Sequence, residues 1–261
     1  MILRWLAVIL LGSTASLAWA QPPGDETAKP EPLPEIPKLS EKSELKELTK
    51  DKTLFLELTP AADGKKKPAR VLFAAEVCLR AGPLEVFCTK KGTKEHESIV
   101  RIDMDARFLH AGLLALGAKP GNTVQWVDPK TEEPKYKPAS GTTIKVSVHY
   151  RRDGKLHTHP AQEWIQDRKA NKAMTHEWVF AGSRSLKNPE RPNDPEYYMA
   201  NNGEVISISN FVDSMLDLPI EIGSNNDDLF FMANTEKIPP LLSKVWVILE
   251  PKADVKKDEK K

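Results

Sequence analysis

Across residues 142–151, apolar and polar side chains alternate without a break. Ile144, Val146, Val148 and Tyr150 fall on one side, and Lys145, Ser147, His149 and Arg151 on the other. A period of two marks a strand with one face on a core and one in water, and it does not fit a helix of period 3.6. The rest of the central chain reads the same way. Apolar, β-branched runs at 54–58, 71–79, 84–89, 99–102, 178–181, 205–209, 229–232 and 245–249 are separated by turn residues, among them the tight-turn pair Asn202-Gly203. One segment breaks the rule. Leu109, Leu113 and Leu116 form a stripe at i, i+4, i+7, with Asp105 or Asp103 to cap the start and Gly117 and Pro120 to stop it. Shorter, weaker helical patterns occur at 160–168 and 210–218. The expected fold class is therefore α+β: a mainly antiparallel β-sheet with one well-defined α-helix at about 105–116 and short additional helices.

The flanks differ from this core. Residues 1–20 have the layout of a secretory signal peptide: Arg4, an apolar run at 6–11, and the small-x-small site Ala18-Trp19-Ala20. That places the protein in the periplasm or outside the cell. The apolar run is too short to span a bilayer, no cysteine follows the cleavage site, and no later stretch reads as a transmembrane segment. Residues 21–50 carry Pro22, Pro23, Pro30, Pro32, Pro34 and Pro37 and read as a flexible, proline-rich linker. Residues 251–261 are lysine-rich with few apolar side chains and read as a disordered charged tail. A single globular domain at 51–250 remains. Cleavage removes Arg4 and no acidic residue, so a formal charge of +1 falls to zero. Nothing in that balance attracts a nucleic acid or an anionic membrane. With 40% hydrophobic residues the chain can build a core without a disulfide framework.

Several phrases in the core occur together in a fixed order: Gly92-Thr-Lys-Glu-His-Glu-Ser98; His110-Ala111 with Leu116-Gly-Ala-Lys-Pro-Gly121; Pro160-Ala-Gln-Glu-Trp164; Trp178-Val-Phe-Ala-Gly-Ser183; Ser209-Asn-Phe211 with Met215-Leu-Asp-Leu-Pro-Ile220; and Thr235-Glu-Lys-Ile-Pro-Pro240. Over residues 70–250 the chain resembles the YdjY-like domain of exported bacterial proteins. That resemblance brings no settled activity and no catalytic residues. The ferredoxin-like label sometimes attached to the family is not supported by a chain with two cysteines, since a four-iron cluster normally takes four thiolates; no iron–sulfur cluster and no other cofactor is expected.

The common catalytic signatures are missing: no glycine-rich phosphate loop, no His-Glu-x-x-His, no Gly-x-Ser-x-Gly. Ser183 stands in Ala-Gly-Ser-Arg-Ser without the strand-to-helix elbow a nucleophile needs. Two clusters could carry chemistry. In the first, Lys94-Glu95-His96-Glu97 is a polar insert between apolar strands. His96 and Glu97 there, with His110 in the first turns of the helix, could hold a divalent metal or move a proton; otherwise the insert is a solvated turn and His110 a packed helix residue. The second is the hairpin containing His149, His157 and His159. A two-residue Asp153-Gly154 turn sets Tyr150 opposite His157. A three-residue turn buries Leu156 and sets His149 opposite His157, which puts three imidazoles on one face able to bind Zn²⁺ or Cu²⁺; this second register is preferred. The plainer reading is a polar sheet surface. Trp126, Trp164, Trp178 and Trp246 could line a cleft or simply pack, and the Asn/Asp quartet at 225–228 reads as turn chemistry rather than a calcium loop.

Cys78 and Cys88 flank a turn at Gly82-Pro83. A loop centred on Pro83 sets them opposite each other within disulfide reach, whereas a shift of one residue pairs Phe87 with Cys78 and leaves two thiols. The functional expectation is an exported, non-enzymatic binding or structural module of the cell envelope, with an envelope protein as partner. The alternative is a metal-assisted envelope enzyme using His96, Glu97 and His110.

Overall fold

The computed structural model describes residues 29–127, 133–222 and 231–252. The export signal, the first prolines of the 21–50 stretch, the Asn/Asp quartet and the tail from 253 lie outside the described residues.

Strands β1 (Glu44–Glu47), β2 (Leu54–Pro60), β3 (Lys66–Val77), β4 (Val86–Lys90) and β5 (Ser98–Ile102) precede helix α1 (Ala106–Ala115). A small hairpin, β6 (Gln125–Val127) with β7 (Pro134–Lys137), is followed by the long hairpin β8 (Thr143–Arg152) and β9 (Lys155–Pro160). Then come β10 (Ile165–Asp167), β11 (Lys172–Ala173), β12 (Trp178–Phe180), and the pair β13 (Ser185–Leu186) and β14 (Tyr197–Tyr198). The last strands are β15 (Ile206–Ser207), β16 (Leu216–Asp217), β17 (Phe231–Ala233) and β18 (Lys244–Pro251).

Eight of these strands close into a barrel, in the order β3, β18, β8, β12, β16, β15, β4, β5 and back to β3. This corrects the expected α+β class. The protein is mostly β, and α1 is the one α-helix among the described residues. The short helices expected at 160–168 and 210–218 do not form. Residues 161–164 make a single 3-10 turn that leads into β10, because Trp164 and Ile165 are drawn fully into the core. At 210–218, Asn210 binds the main chain of Leu218 and Ile222 while Ser214 binds Ser207, so side chains compete with a helix for the backbone and for each other. Most pairs are antiparallel, but β4 runs parallel to β5 and β15 parallel to β16.

Two strands are shared at their edges. On one edge β3 gives residues 66–73 to β2 and only Glu76 and Val77 to β5. On one edge β8 gives residues 147–152 to β9 and only Thr143 and Ile144 to β12. The barrel therefore closes through two-residue contacts, and two ribbons, β1–β2 and β9, extend from it. The main core includes the inward side of β8 (Ile144, Val146, Val148, Tyr150) together with Phe73, Phe87, Trp164, Trp178 and Phe180. An eight-stranded barrel has an interior that side chains can fill.

The opposite face of β8 is wet at Lys145 but not throughout. Ser147 and His149 are buried as well, because the chain before β2 lies over that wall. Phe55, Leu72, Trp246 and Ile248 form a second apolar cluster with Ile36 and Leu45. The stretch at 29–50, which its prolines suggest is solvated, is extended but docked. The carbonyl oxygens of Glu31, Pro34 and Pro37 accept hydrogen bonds from the Lys244 main chain, the Trp246 indole and Arg70 respectively. Their spacing of three residues is the period of a polyproline helix, which has no internal hydrogen bonds and so leaves its carbonyls free to dock. Beneath the arm, Arg70 is ion-paired with the fully buried Glu57, whose other oxygen accepts from the Leu39 main chain at 2.7 Å.

Candidate functional site

β4 and β5 are parallel neighbours, so the chain between them must travel back the length of a strand. It does so through 91–97, the Gly-Thr-Lys-Glu-His-Glu phrase, with a 3-10 turn at Glu95–Glu97. Lys94 is the centre of this return. Its Nζ lies 3.0 Å from Glu85 Oε2, 3.3 Å from Glu97 Oε1 and 3.6 Å from Glu204 Oε1, and 3.9 Å from the centroid of the Phe211 ring. Burial works against the lysine's charge, but the glutamates outweigh it and raise its pKa. Two of the glutamates are perturbed the other way. Burial raises Glu97, and contact with the Glu85 carboxyl adds to it, since two touching carboxyl groups favour a shared proton. Burial also raises Glu204, whose Oε2 is enclosed without a hydrogen-bond partner among the described residues. Gly203 holds this end of the site. It has φ of +127°, and a Cβ there would lie 2.9 Å from both Thr89 Oγ1 and Thr93 Oγ1.

The first sequence candidate is only half assembled. Glu97 belongs to the Lys94 cluster, but His96 points to solvent with its side chain 79% exposed and meets only Glu97, at 3.7 Å. His110 belongs to a different network. Its Nδ1 is 2.8 Å from the Tyr198 hydroxyl, which itself donates to Gly182 O at 2.9 Å. Burial, with the Phe180 and Tyr198 rings edge-on, lowers the His110 pKa. Residues 199–204 are interposed between the two halves. Asn201 Oδ1 caps the helix at Ala106 N and its amide reaches Asp105, while Gly203 seats against Thr89 and Thr93. No group of three or more His, Cys, Asp or Glu able to hold a metal occurs among the described residues.

The hairpin adopts the other register. Asp153 and Gly154 both have positive φ, 51° and 72°, as a two-residue type I′ turn requires. Tyr150 then faces His157 and His149 faces Thr158, with a 2.7 Å bond from His149 Nδ1 to the Thr158 hydroxyl. The three-imidazole face is not formed. His149 lies on the arm side near Arg70, buried, while His157 and His159 share the Tyr150 side. The twist of the strands favours the I′ turn enough to leave Leu156 51% exposed.

Cys78 and Cys88 are free thiols, and the expected bridge is absent. They do not lie on paired strands. β5 runs between β3 and β4, with Val100 opposite both Val77 and Cys88. Two strand spacings amount to about 10 Å, beyond the ~7 Å limit for a disulfide. Burial pushes the Cys78 thiol up to about 12.

Other candidates are structural. Trp164 and Trp178 are core, Trp246 lies under the arm, and only Trp126 is well exposed, against Tyr136. Ser183 has φ of 55° and donates its hydroxyl to Asp213 O at 2.6 Å, with no imidazole to activate it. A cleft of about 290 Å³ is lined by Asp51, Glu76, Lys91, Arg101, Asp103 and Lys244, but its cations are already paired with Glu76 or Asp103. The residues that sequence reasoning missed are Glu85, Glu204 and Phe211. Only Phe211 stood in a quoted phrase, and none is close to Lys94 in the chain.

A family model described as YdjY domain matches residues 63–250 of the chain, which takes in β3 to β18 and leaves out the arm and β2. No curated protein and no solved structure matches it.

Proposed function

The chain belongs to the YdjY domain family, and on that premise we propose that it is an exported binding module of the cell envelope that recognises a cationic group at the rim around Lys94. The observation that carries this reading is the convergence of Glu85, Glu97 and Glu204 on one ammonium beside an aromatic face. Three carboxylates exceed one lysine in charge, and burial with the neighbouring Glu85 raises the Glu97 pKa. A ligand's guanidinium or ammonium would balance the excess with charge-assisted hydrogen bonds, and Phe211 adds a cation–π face. A packed core supports recognition at the rim rather than inside the barrel. Export rests on the signal layout of residues 1–20. No helix among the described residues is long and apolar enough to cross a membrane.

The test is calorimetric titration of the full chain with a short arginine-containing peptide and with its glutamate counterpart. The arginine peptide should bind, weaken with salt, and lose about tenfold, or ~1.4 kcal/mol, on Glu97→Gln. Equal affinity for both peptides, or no effect of Glu97→Gln and Phe211→Leu, would overturn the reading.

A further inference from the structure

We propose that His157 and His159 form an open surface site for a divalent transition metal, with Cu²⁺ its tightest occupant. The site is separate from the Lys94 rim and does not depend on its role. Residues two apart on a strand share a face. Here the two imidazoles stack, with centroids 5.8 Å apart and planes 25° apart. Neither ring is buried, so a metal from solvent can reach both.

Two further contacts distinguish the pair from histidines scattered on a surface. Glu163 Oε2 lies 3.1 Å from His159 Nδ1. A carboxylate there fixes the proton on Nδ1 and turns the Nε2 lone pair outward, the arrangement that supports metal-bound histidines. On the other side Tyr150, nearly buried and fixed in the core, stacks on His157 at 5.4 Å and 24°. Both rings are therefore backed by something rigid, and the tight Asp153-Gly154 turn holds their strand in register.

A metal bound to two imidazoles at about 2.0–2.1 Å each spans nitrogens about 3–4 Å apart. From a centroid spacing of 5.8 Å, metal uptake in the proposed site draws the rings together by rotation about χ1, since Nε2 lies close to the χ2 axis and moves little about it. No third side-chain ligand completes the set among the described residues, so water fills the remaining positions. Such a site selects by intrinsic affinity. Cu²⁺ stands at the head of the divalent series and accepts a tetragonal set of nitrogen and water ligands. Glu163 supplies compensating charge beside His159.

The experiment is titration of the untagged full chain with copper(II) chloride. It is followed by quenching of tryptophan fluorescence, since Trp164 lies 5.1 Å from Tyr150, and by the nitrogen hyperfine pattern in electron paramagnetic resonance. His159→Ala should weaken binding at least tenfold and remove one nitrogen from the pattern. Glu163→Gln should weaken it tenfold or more while keeping both nitrogens. His157→Ala and His157→Phe should both lose binding, and since the Phe ring can keep the stack on Tyr150, its loss reads the missing nitrogen rather than the missing stack. His149→Ala and His176→Ala should bind like the parent. Unchanged affinity in the His157 and His159 variants, or an equal loss in His149→Ala, would refute the site.

Discussion

Asp217 offers a sharp test of the barrel's buried polar wall. It sits in β16 with no solvent exposure. Its Oδ1 accepts from the Asn210 amide at 3.0 Å and from the Leu218 main chain at 2.8 Å, and its Oδ2 is enclosed without a partner among the described residues. Burial outweighs those hydrogen bonds and raises the carboxyl from 3.8 to about 7. A raised acid holds its proton in the folded chain after the unfolded chain has released it. Its stabilising contribution is full below the unfolded pKa and is lost as pH rises through the folded one. At about 1.4 kcal/mol per unit, moving from pH 5 to pH 8 removes about 3 kcal/mol of stability from the wild type. Asp217→Asn keeps the Oδ1 acceptor and cannot ionise. Its amide in the Oδ2 position adds a cost that does not vary with pH. The variant's stability, relative to wild type, should therefore rise by about 3 kcal/mol between pH 5 and pH 8. Urea unfolding followed by tryptophan fluorescence reads this as a relative midpoint shift of roughly 1 M for a slope of about 3 kcal/mol/M. Glu97 and Glu204 contribute a pH slope to both proteins and cancel in the comparison. Parallel stability–pH curves for the two proteins would mean that Asp217 is already ionised at pH 5, and the argument from its enclosed oxygen would fail.

Two further outcomes follow from buried contacts. Arg70→Met strands the fully buried Glu57 carboxylate under the arm and should cost about 3–5 kcal/mol in chemical denaturation, whereas Arg107→Met, at the exposed start of α1, should cost under about 1 kcal/mol. Thiol labelling of the unfolded, unreduced protein should find two reactive cysteines, and fewer than one per chain would show that Cys78 and Cys88 reach each other after all.

What the sequence announces is local, and what it hides is long-range. The alternation at 142–151 gives β8 to within a residue, and the leucine stripe gives α1, because both signals are carried by neighbours in the chain. Closure of the barrel has no such signal. It rests on Glu76 and Val77 meeting Val100 and Arg101, on Trp178 and Val179 meeting Thr143 and Ile144, and on Ile206 beside Leu216. Contacts two residues long leave no periodicity, so the open α+β sheet was the natural expectation. The hairpin register turned on a conflict between turn chemistry and burial of Leu156, and turn chemistry won. The prolines of the arm suggest a flexible, solvated linker, whereas residues 31–37 dock through carbonyl oxygens that every residue type carries. At the candidate site, the polar insert 94–97 stands out between apolar runs. Glu85, Glu204 and Phe211 reach Lys94 only through the folded chain, so a cluster around Lys94 could not be read from the insert alone.

The position of β18 in the ring has a consequence for how the molecule is made. This strand is the last of the described strands, yet it lies between β3 and β8, and its first residue also takes the carbonyl of Glu31 in the arm. Synthesis delivers the arm, β3 and β8 first and holds back the piece that joins them. Until residues 244–251 emerge, two long strand edges stay open and the arm lacks part of the surface it docks on. The unfinished chain has no closed barrel in which to become trapped. For the exported module proposed above, that delay would keep the chain threadable until β18 is made.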